Sequence, residues 1–374
     1  MQSDVGNSPC AEDVTYNLMR SSGTLLSRRI ERHTPTRIPS LDGFRAIAIA
    51  MVLVCHESIV LPLVMPPQLR AQFVRLGPSG VRIFFVLSGF LITSILLREL
   101  EKTGKISLWR FYIRRALRIF PAYLAFLIGL AFLCSTGILS IPKPRWEDYL
   151  PAALYVSDYL SVPWPLSHTW SLSVEEQFYF VWPAALLFLS LRNNKALIPI
   201  GVICAAPLFR FAALFGVTIF GDQQFETVAD ALAVGCLLAI YKDRVVAVLT
   251  RMIPAGLSPF ILPAAGLAIV LIDGTANHPR ILAPLGLSLM NVVIGIAIIF
   301  AVERPPKWLN HRAIVGLGRV SYSLYLWQQP LFQDYRLRYW WVVISLACAY
   351  FSFRLIERPI LSWRDARTPK LKTP

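Results

Sequence analysis

Ten long apolar segments constrain the fold of this chain more than any other feature of its sequence. They span residues 41–56, 81–97, 119–136, 173–191, 196–216, 228–241, 253–273, 281–302, 314–332 and 339–356. An α-helix needs about 20 mostly apolar residues to cross the hydrocarbon core of a bilayer. The runs are continuous rather than alternating, which argues against the strands of a membrane β-barrel. The sequence therefore predicts an all-α polytopic membrane protein, a bundle of about ten transmembrane helices.

Charged residues are scarce and are concentrated between the apolar segments. Only 16% of the 374 residues are charged, whereas an average soluble domain has about a quarter. If the first segment runs outward, 25 of the 37 Lys and Arg lie in cytoplasmic segments and 7 in outer loops. Flanking positive charge produces this asymmetry, so both termini are predicted to be cytoplasmic. The same asymmetry explains the net charge of +15, and we expect no nucleic-acid partner.

Two polar tails flank the apolar part of the chain. We expect a basic cytoplasmic tail at 1–40 that is not a signal peptide, a transmembrane domain at 41–356 and a second basic tail at 357–374. Residues 149–161 are apolar but short, which is consistent with a re-entrant or interfacial segment. An additional span there would invert every later loop and spoil the charge asymmetry. The cysteines lack metal-ligand spacing, so no metal site is expected.

Three ionisable residues lie in the first apolar segment, where each costs about 2.5–3.5 kcal/mol to insert. Asp42, Arg45 and His56 share one helix face, because eleven residues at about 100° each return nearly to the starting angle. That face is predicted to point into the bundle, with His56 about 16 Å further out than Arg45. Two interpretations stay open. One is a boundary ion pair with an interior histidine, and the other is a catalytic site, since histidine transfers protons near neutral pH.

A polar stretch enters the fourth segment from the predicted outer side. Ser173 and Glu176 have the spacing of a helix capping box, which would be a structural role for this pair. That role leaves His168 and Trp170, just before them, unexplained. The predicted topology puts Glu176 at the level of His56, where a carboxylate would raise the basicity of the imidazole and fix its tautomer.

Three arginines, Arg114, Arg115 and Arg118, cluster on one side of a helix start in a basic cytoplasmic loop. They could anchor the chain to lipid phosphates or bind an anionic, phosphate-bearing cofactor. The residues alone leave both interpretations open. Asp230 begins the sixth segment, and Gln328 belongs to a polar stripe of the ninth segment that must face the interior.

Five motifs taken together resemble the acyltransferase 3 family of membrane O-acyltransferases, over about residues 38–360. They are LDGFRA at 41–46 followed by His56, FFVLSGFLI at 84–92, RRALRIFP at 114–121, HTWSLSVEEQFY at 168–179 and SYSLYLW at 321–327. Members of this family acylate surface polysaccharides, lipid-linked sugars and some antibiotics. They commonly carry a histidine after the last tryptophan, where this chain has Gln328. No essential proton transfer is therefore assigned at that position.

The resemblance implies transfer of an acyl group, most often acetyl from acetyl-CoA, to a hydroxyl of a saccharide or related acceptor at a bacterial inner membrane. In this interpretation the three clustered arginines bind acetyl-CoA and Arg45 guides its thioester inward. His56 is the general base, oriented by a carboxylate such as Glu176. The candidate substrate-binding residues are His168, Trp170, Ser173, Asp230 and Gln328.

Several alternatives stay open from the sequence. Transfer could be direct or could pass through a covalent intermediate near Ser171 or Ser173, and neither the acceptor nor the acyl chain is specified. A transporter or flippase for a polar or anionic substrate is the alternative from another class of protein, because buried charges can line a substrate path. Such a protein would move its substrate without consuming acyl-CoA.

Overall fold

The computed structural model describes residues 38–60, 66–217, 221–254, 257–275 and 283–367. Within these ranges the chain is mainly helical and contains no β-strand, which confirms the predicted all-α fold class. The described α-helices of ten residues or more are α1 (Pro39–Val60), α2 (Pro67–Thr103), α3 (Leu108–Ser135), α4 (Thr169–Leu191), α5 (Leu197–Leu214), α6 (Asp230–Ile240), α7 (Lys242–Met252), α8 (Ser258–Thr275), α9 (Ala283–Glu303), α10 (Arg312–Gln333), α11 (Trp341–Ser352) and α12 (Arg358–Arg367).

Shorter helical pieces connect these helices. A π-helical turn at Phe353–Glu357 joins α11 to α12, and its wider winding changes the direction in which the following side chains point. Short α-helices and 3₁₀ turns occupy the connections elsewhere in the described ranges. They are Trp146–Asp148, Tyr149–Ala153, Trp164–Ser167, Phe225–Val228 and Tyr335–Leu337.

Each of the ten predicted apolar segments overlaps a helix in the described part of the chain, and these helices are α1 to α6 and α8 to α11. Five described helices are long and apolar enough to cross a membrane, namely Pro39–Ser58, Arg70–Thr103, Leu108–Ser135, Leu197–Leu214 and Ala283–Glu303. Asp230–Ile240 and Ile261–Val270 are apolar but shorter. The number of spans and the orientation of the termini therefore stay predictions. The predicted tail at 1–40 lies largely outside the described residues, whereas α12 lies within the predicted tail at 357–374.

Helices α2 and α6 cross at very short distance, and this contact fixes α2 beside the site described below. A side-chain carbon at Gly89 would lie 2.0 Å from the backbone oxygen of Leu232, and one at Gly235 would lie 2.2 Å from that of Val86. Such distances are possible only without a side chain. Small residues at helix crossings let membrane helices pack backbone to backbone.

Gly89→Ala is therefore expected to lower the free energy of unfolding by about 1–3 kcal/mol, because the added methyl group overpacks the crossing of α2 and α6. Gly201→Ala on α5 is the matched control, since nothing lies within 4 Å of a side-chain carbon at that position. Thermal unfolding of both variants in detergent micelles measures the difference. Equal midpoints for the two variants would show that the crossing is not tightly packed.

The segment 149–161 does not form a membrane-spanning helix. Only Tyr149–Ala153 is helical, and the chain then runs irregularly to the next short helix. Tyr123 on α3 donates a hydrogen bond to the backbone oxygen of Ala152 at 2.9 Å. Gln177 on α4 donates one to the backbone oxygen of Tyr155 at 3.0 Å. These bonds attach the segment to α3 and α4.

The capping-box interpretation of Ser173 and Glu176 is wrong. Helix α4 begins at Thr169, because the preceding short helix continues into it through His168 in helical conformation. Ser173 therefore lies inside the helix, fully buried. Its hydroxyl pairs with that of Ser157 at 2.8 Å and so contributes to holding the irregular segment against α4.

Candidate active site

A cavity of about 120 Å³ lies between α1, α2, α3, α4, α10 and the π-helical turn. Its lining is unusually charged for the interior of a helical bundle, where ionisable groups are costly. Four arginines and three glutamates contribute, together with the hydroxyl groups of serines and tyrosines. The charged residues of the lining are Arg45, Arg115, Arg118, Arg319, Glu175, Glu176 and Glu357.

One wall of the cavity is a hydrogen-bonded network between α2 and α4. The hydroxyl of Tyr179 donates to Ser88 Oγ at 2.9 Å, and Ser88 Oγ donates to Glu175 Oε1 at 2.6 Å. The guanidinium carbon of Arg115 lies 3.6 Å from the centre of the Tyr179 ring. Arg115 is also within Coulombic range of Glu175 and Glu176. The guanidinium of Arg115 thus interacts mainly with side chains of the protein itself.

Arg45 forms the predicted ion pair with Asp42 and also lines the cavity. Its Nη1 atom forms an ion pair with Asp42 Oδ1, one helical turn earlier, at 2.9 Å. Asp42 is buried, whereas Arg45 is partly exposed and lines the cavity. Gly318 lets α1 approach α10 here, because a side-chain carbon at that position would lie 1.9 Å from the Asp42 backbone oxygen. The ion pair therefore holds Arg45 at the cavity rather than excluding it.

The three clustered arginines of α3 are divided by the structure. Arg115 and Arg118 line the cavity. Arg114 instead forms an ion pair with Glu99 on α2, at 3.4 Å and partly exposed, and it is not part of the lining. Arg319, near the start of α10, takes a place in the lining that the sequence analysis did not predict.

His56 is buried near the end of α1 and does not belong to the cavity lining. Its Nδ1 atom lies 2.5 Å from Oε1 of Gln328, and its ring stacks on Phe332 with centroids 5.0 Å apart. The predicted pair of His56 and Glu176 is not formed, since Glu176 lines the cavity near Arg115. Gln328, rather than a carboxylate, orients the imidazole.

Tyr325 connects the cavity with the surroundings of His56. It lines the cavity and lies three residues before Gln328, about 4.5 Å along the axis of α10. Its hydroxyl pairs with Ser171 Oγ at 2.7 Å and donates to the backbone oxygen of His168 at 3.1 Å. The rings of His168 and Tyr325 meet edge to face with centroids 5.5 Å apart. Hydrogen bonds thus extend from the cavity to Ser171 and the backbone of His168, and α10 carries both Tyr325 and the Gln328 that contacts His56.

The remaining predicted site residues lie behind the cavity or apart from it. Trp170 packs edge to face against Phe85, which lines the cavity. Asp230 is fully buried in an ion network, 2.7 Å from Arg210 and 3.6 Å from Arg82. Asp230 does not line the cavity and connects α6 to α5 and α2. Among the described residues, no group of three or more His, Cys, Asp or Glu could hold a metal ion.

Known proteins resemble the chain over most of its length. The model of the acyltransferase 3 family, described as an acyltransferase domain, matches residues 38–356. Peptidoglycan O-acetyltransferase OatA of Listeria monocytogenes is 29% identical over 373 residues, which cover 89% of this chain and 57% of that protein. OatA of Staphylococcus aureus strain NCTC 8325 is 29% identical over 377 residues, 89% of this chain and 59% of its own length. A putative O-acetyltransferase of S. aureus strain COL is 29% identical over 381 residues, 89% of this chain and 60% of its own length.

The chain therefore spans less than two thirds of the length of these relatives. No solved structure is significantly similar to it.

Proposed function

Because the chain belongs to the acyltransferase 3 family, we propose that it is a membrane O-acetyltransferase that takes its acetyl group from acetyl-CoA. The acceptor is a hydroxyl of a saccharide, and the enzyme works as a multi-pass protein in a bacterial cytoplasmic (inner) membrane. The observation that carries this proposal is the cavity, whose lining combines arginines with hydroxyl groups and includes Tyr325 of α10, the helix that also carries Gln328, the partner of the buried His56.

Acetyl-CoA has an anionic phosphate end and a thioester end. In this proposal the arginines of the cavity bind the phosphates, and the thioester lies toward His56. Arg118 and Arg319 lie toward the predicted cytoplasmic ends of α3 and α10, where the anionic part of the donor would arrive. Arginine binds phosphate oxygens with paired, charge-assisted hydrogen bonds. Nine residues separate Arg319 from Gln328 on α10, about 13.5 Å along the axis. An extended arm can span this distance and bring a thioester toward His56.

His56 is proposed as the general base for the acceptor hydroxyl. Gln328 Oε1 faces Nδ1, so Nδ1 carries the proton and Nε2 keeps its lone pair. Nε2 takes the proton of the acceptor hydroxyl while that oxygen attacks the acetyl carbonyl. The C–S bond breaks, the new C–O bond forms, and the imidazolium returns its proton to the CoA thiolate.

A saccharide acceptor is supported by the relative whose name specifies peptidoglycan. The candidate acceptor-binding groups are His168, Trp170 beside the cavity and the amide of Gln328, whose Nε2 atom has no hydrogen-bond partner among the described residues. Asp230 and Ser173 have structural partners in this state. We therefore propose that these two residues stabilise the helices around the site and do not contact the acceptor.

Proteoliposomes test the proposed reaction together with its sidedness. Acetyl-CoA with a labelled acetyl group is supplied on the side of the basic loops, and a soluble glycan oligosaccharide is supplied on the other side. We expect label in the oligosaccharide, detected by mass spectrometry as an ester that mild base removes. Movement of either compound across the membrane without ester formation would favour the transporter alternative instead.

A further inference from the structure

Two aromatic rings flank the imidazole of His56. Phe332 of α10 stacks on it with ring centroids 5.0 Å apart, and Trp164 meets it edge to face at 6.3 Å. The rings of Trp164 and Phe332 have their centroids 6.5 Å apart, so the three residues form one ring cluster. Phe332 and His56 are buried, whereas 43% of Trp164 is exposed. Trp164 is therefore the ring of this cluster that a molecule outside the protein can reach.

The backbone around Trp164 holds its ring in a fixed place. The short helix that begins at Trp164 directly follows Pro163, and Pro165 is its second residue. A proline fixes its own φ angle and restricts the residue before it, so this backbone has little freedom. Gln329 of α10 donates hydrogen bonds to the backbone oxygen of Trp164 and to a serine hydroxyl of the same short helix. The exposed ring is thus attached to α10, the helix that also orients the imidazole.

A polar group beside the imidazole lacks a partner of its own. Gln328 is fully buried and faces His56 through Oε1, while its Nε2 atom has no hydrogen-bond partner among the described residues. A buried donor without a partner is costly, and a ligand that brings an acceptor oxygen removes this cost. The hydroxyl oxygens of an acceptor are suitable partners. The surroundings of His56 thus combine an exposed aromatic ring with a donor that a ligand can satisfy.

This combination matches a pyranose ring better than it matches other compounds with hydroxyl groups. A pyranose has C–H groups on its flat faces and hydroxyl groups around its rim. The face of an indole ring carries partial negative charge and a large apolar area, so it attracts such C–H groups and excludes water from them. Ligand sites commonly pair apolar contact of this kind with a few polar groups that fix orientation. An acyclic polyol has the hydroxyl groups but no flat face that can stack.

We infer that Trp164 is a stacking platform, on which a sugar ring of the acceptor rests while one of its hydroxyl groups approaches His56. The inference rests on the proposed function, because it specifies which part of the acceptor the enzyme recognises. Trp164 contacts the sugar ring and not the reacting oxygen, so it acts on the binding of the acceptor. A tryptophan at the edge of a bilayer can instead anchor a protein to the lipid interface. An anchor would affect stability and leave recognition of the acceptor unchanged.

Steady-state acetyl transfer by the full chain in nanodiscs tests this role, with acetyl-CoA as donor and a cell-surface glycan extract as acceptor. Trp164→Ala and Trp164→Leu are each expected to raise the apparent KM for the glycan about tenfold and to leave the KM for acetyl-CoA unchanged. Trp164→Leu keeps an apolar side chain without a flat face, so it separates stacking from a merely apolar contact. Trp164→Phe keeps a smaller ring and should fall between wild type and Trp164→Ala.

Trp146→Ala is the matched control and should keep the wild-type KM for the glycan. Trp146 is 77% exposed in the same connection between α3 and α4, and it is not part of the ring cluster. Binding of coenzyme A by each variant shows that it is folded.

The outcomes separate this inference from the function on which it rests. If wild type acetylates the glycan and Trp164→Ala or Trp164→Leu does so with the same KM, the stacking platform is overturned and the proposed function stands. A lower thermal midpoint together with an unchanged KM would identify Trp164 as a lipid anchor. If wild type transfers no acetyl group to the glycan, the proposed function is wrong and the inference fails with it.

Discussion

His56→Ala is expected to reduce acetyl transfer about 10²–10⁴-fold, the usual contribution of a general base. His56→Gln should lose a similar factor, because an amide fills much of the same space and cannot accept the proton. Labelled acetyl incorporated into the acceptor, per molecule of monodisperse protein, measures the loss. The Kd for coenzyme A should stay unchanged in both variants, since His56 lies outside the cavity lining.

A histidine outside the site provides the control for this prediction. His311 is exposed and caps the start of α10, where its Nδ1 atom accepts from the backbone of Ala313 at 3.4 Å. His311→Asn preserves a capping side chain and is expected to transfer acetyl groups at the wild-type rate. Wild-type transfer by both His56 variants would remove His56 from the mechanism.

Gln328→Leu is expected to lower kcat about 10–100-fold, by analogy with the cost of losing the hydrogen-bond partner that orients a metal-bound imidazole. Gln328 contacts His56 rather than the cavity, so the KM for acetyl-CoA should change little. Gln328→Glu is the conservative variant, because a carboxylate oxygen can still accept from Nδ1–H. It should recover most of the lost kcat.

Steady-state kinetics of both variants separate positioning from a merely structural role. Loss of packing would lower the amount of folded protein in both variants, without recovery by Glu. Equal kcat in wild type, Gln328→Leu and Gln328→Glu would show that the tautomer of His56 is not set by this residue.

The hydrophobic pattern predicted the helices well because long apolar runs have few alternatives in a bilayer. It was less successful at helix ends. Helix α2 begins at Pro67, whereas the apolar segment was placed at 81–97. The additional turns contain Arg70 and Arg75 among partly exposed positions. A helix can continue beyond its apolar run wherever its polar face meets water, and a search for apolar runs cannot detect this extension.

The composition of the cavity was partly predictable. Arg45 could be assigned to an inward face because a charge within a spanning helix needs a polar environment. Arg319 was given no role by the sequence analysis, although it is three residues before Tyr322 and six before Tyr325, which share the cavity. This spacing keeps all three on one side of a helix. The polar stripe of α10 does not include Arg319, because six residues at about 100° each place it about 120° from Tyr325 around the helix.

The partner of His56 could not be predicted from the sequence. Position along the chain placed His56 and Glu176 at a similar depth, but depth does not determine the rotation of two helices about their axes. In the structure α4 turns Glu176 into the cavity, and α10 brings Gln328 to the imidazole. Side-chain packing between helices decides such rotations.

Release of free CoA from acetyl-CoA, by the purified protein in nanodiscs with a cell-surface glycan extract, tests the central claim most directly. The measurement compares wild type with His56→Gln and subtracts hydrolysis without extract. The account predicts release that requires both the glycan and His56, with one acetyl ester formed for each CoA. Absence of release from acetyl-CoA or any other short-chain acyl-CoA would contradict it and make the charged cavity a candidate path for transport.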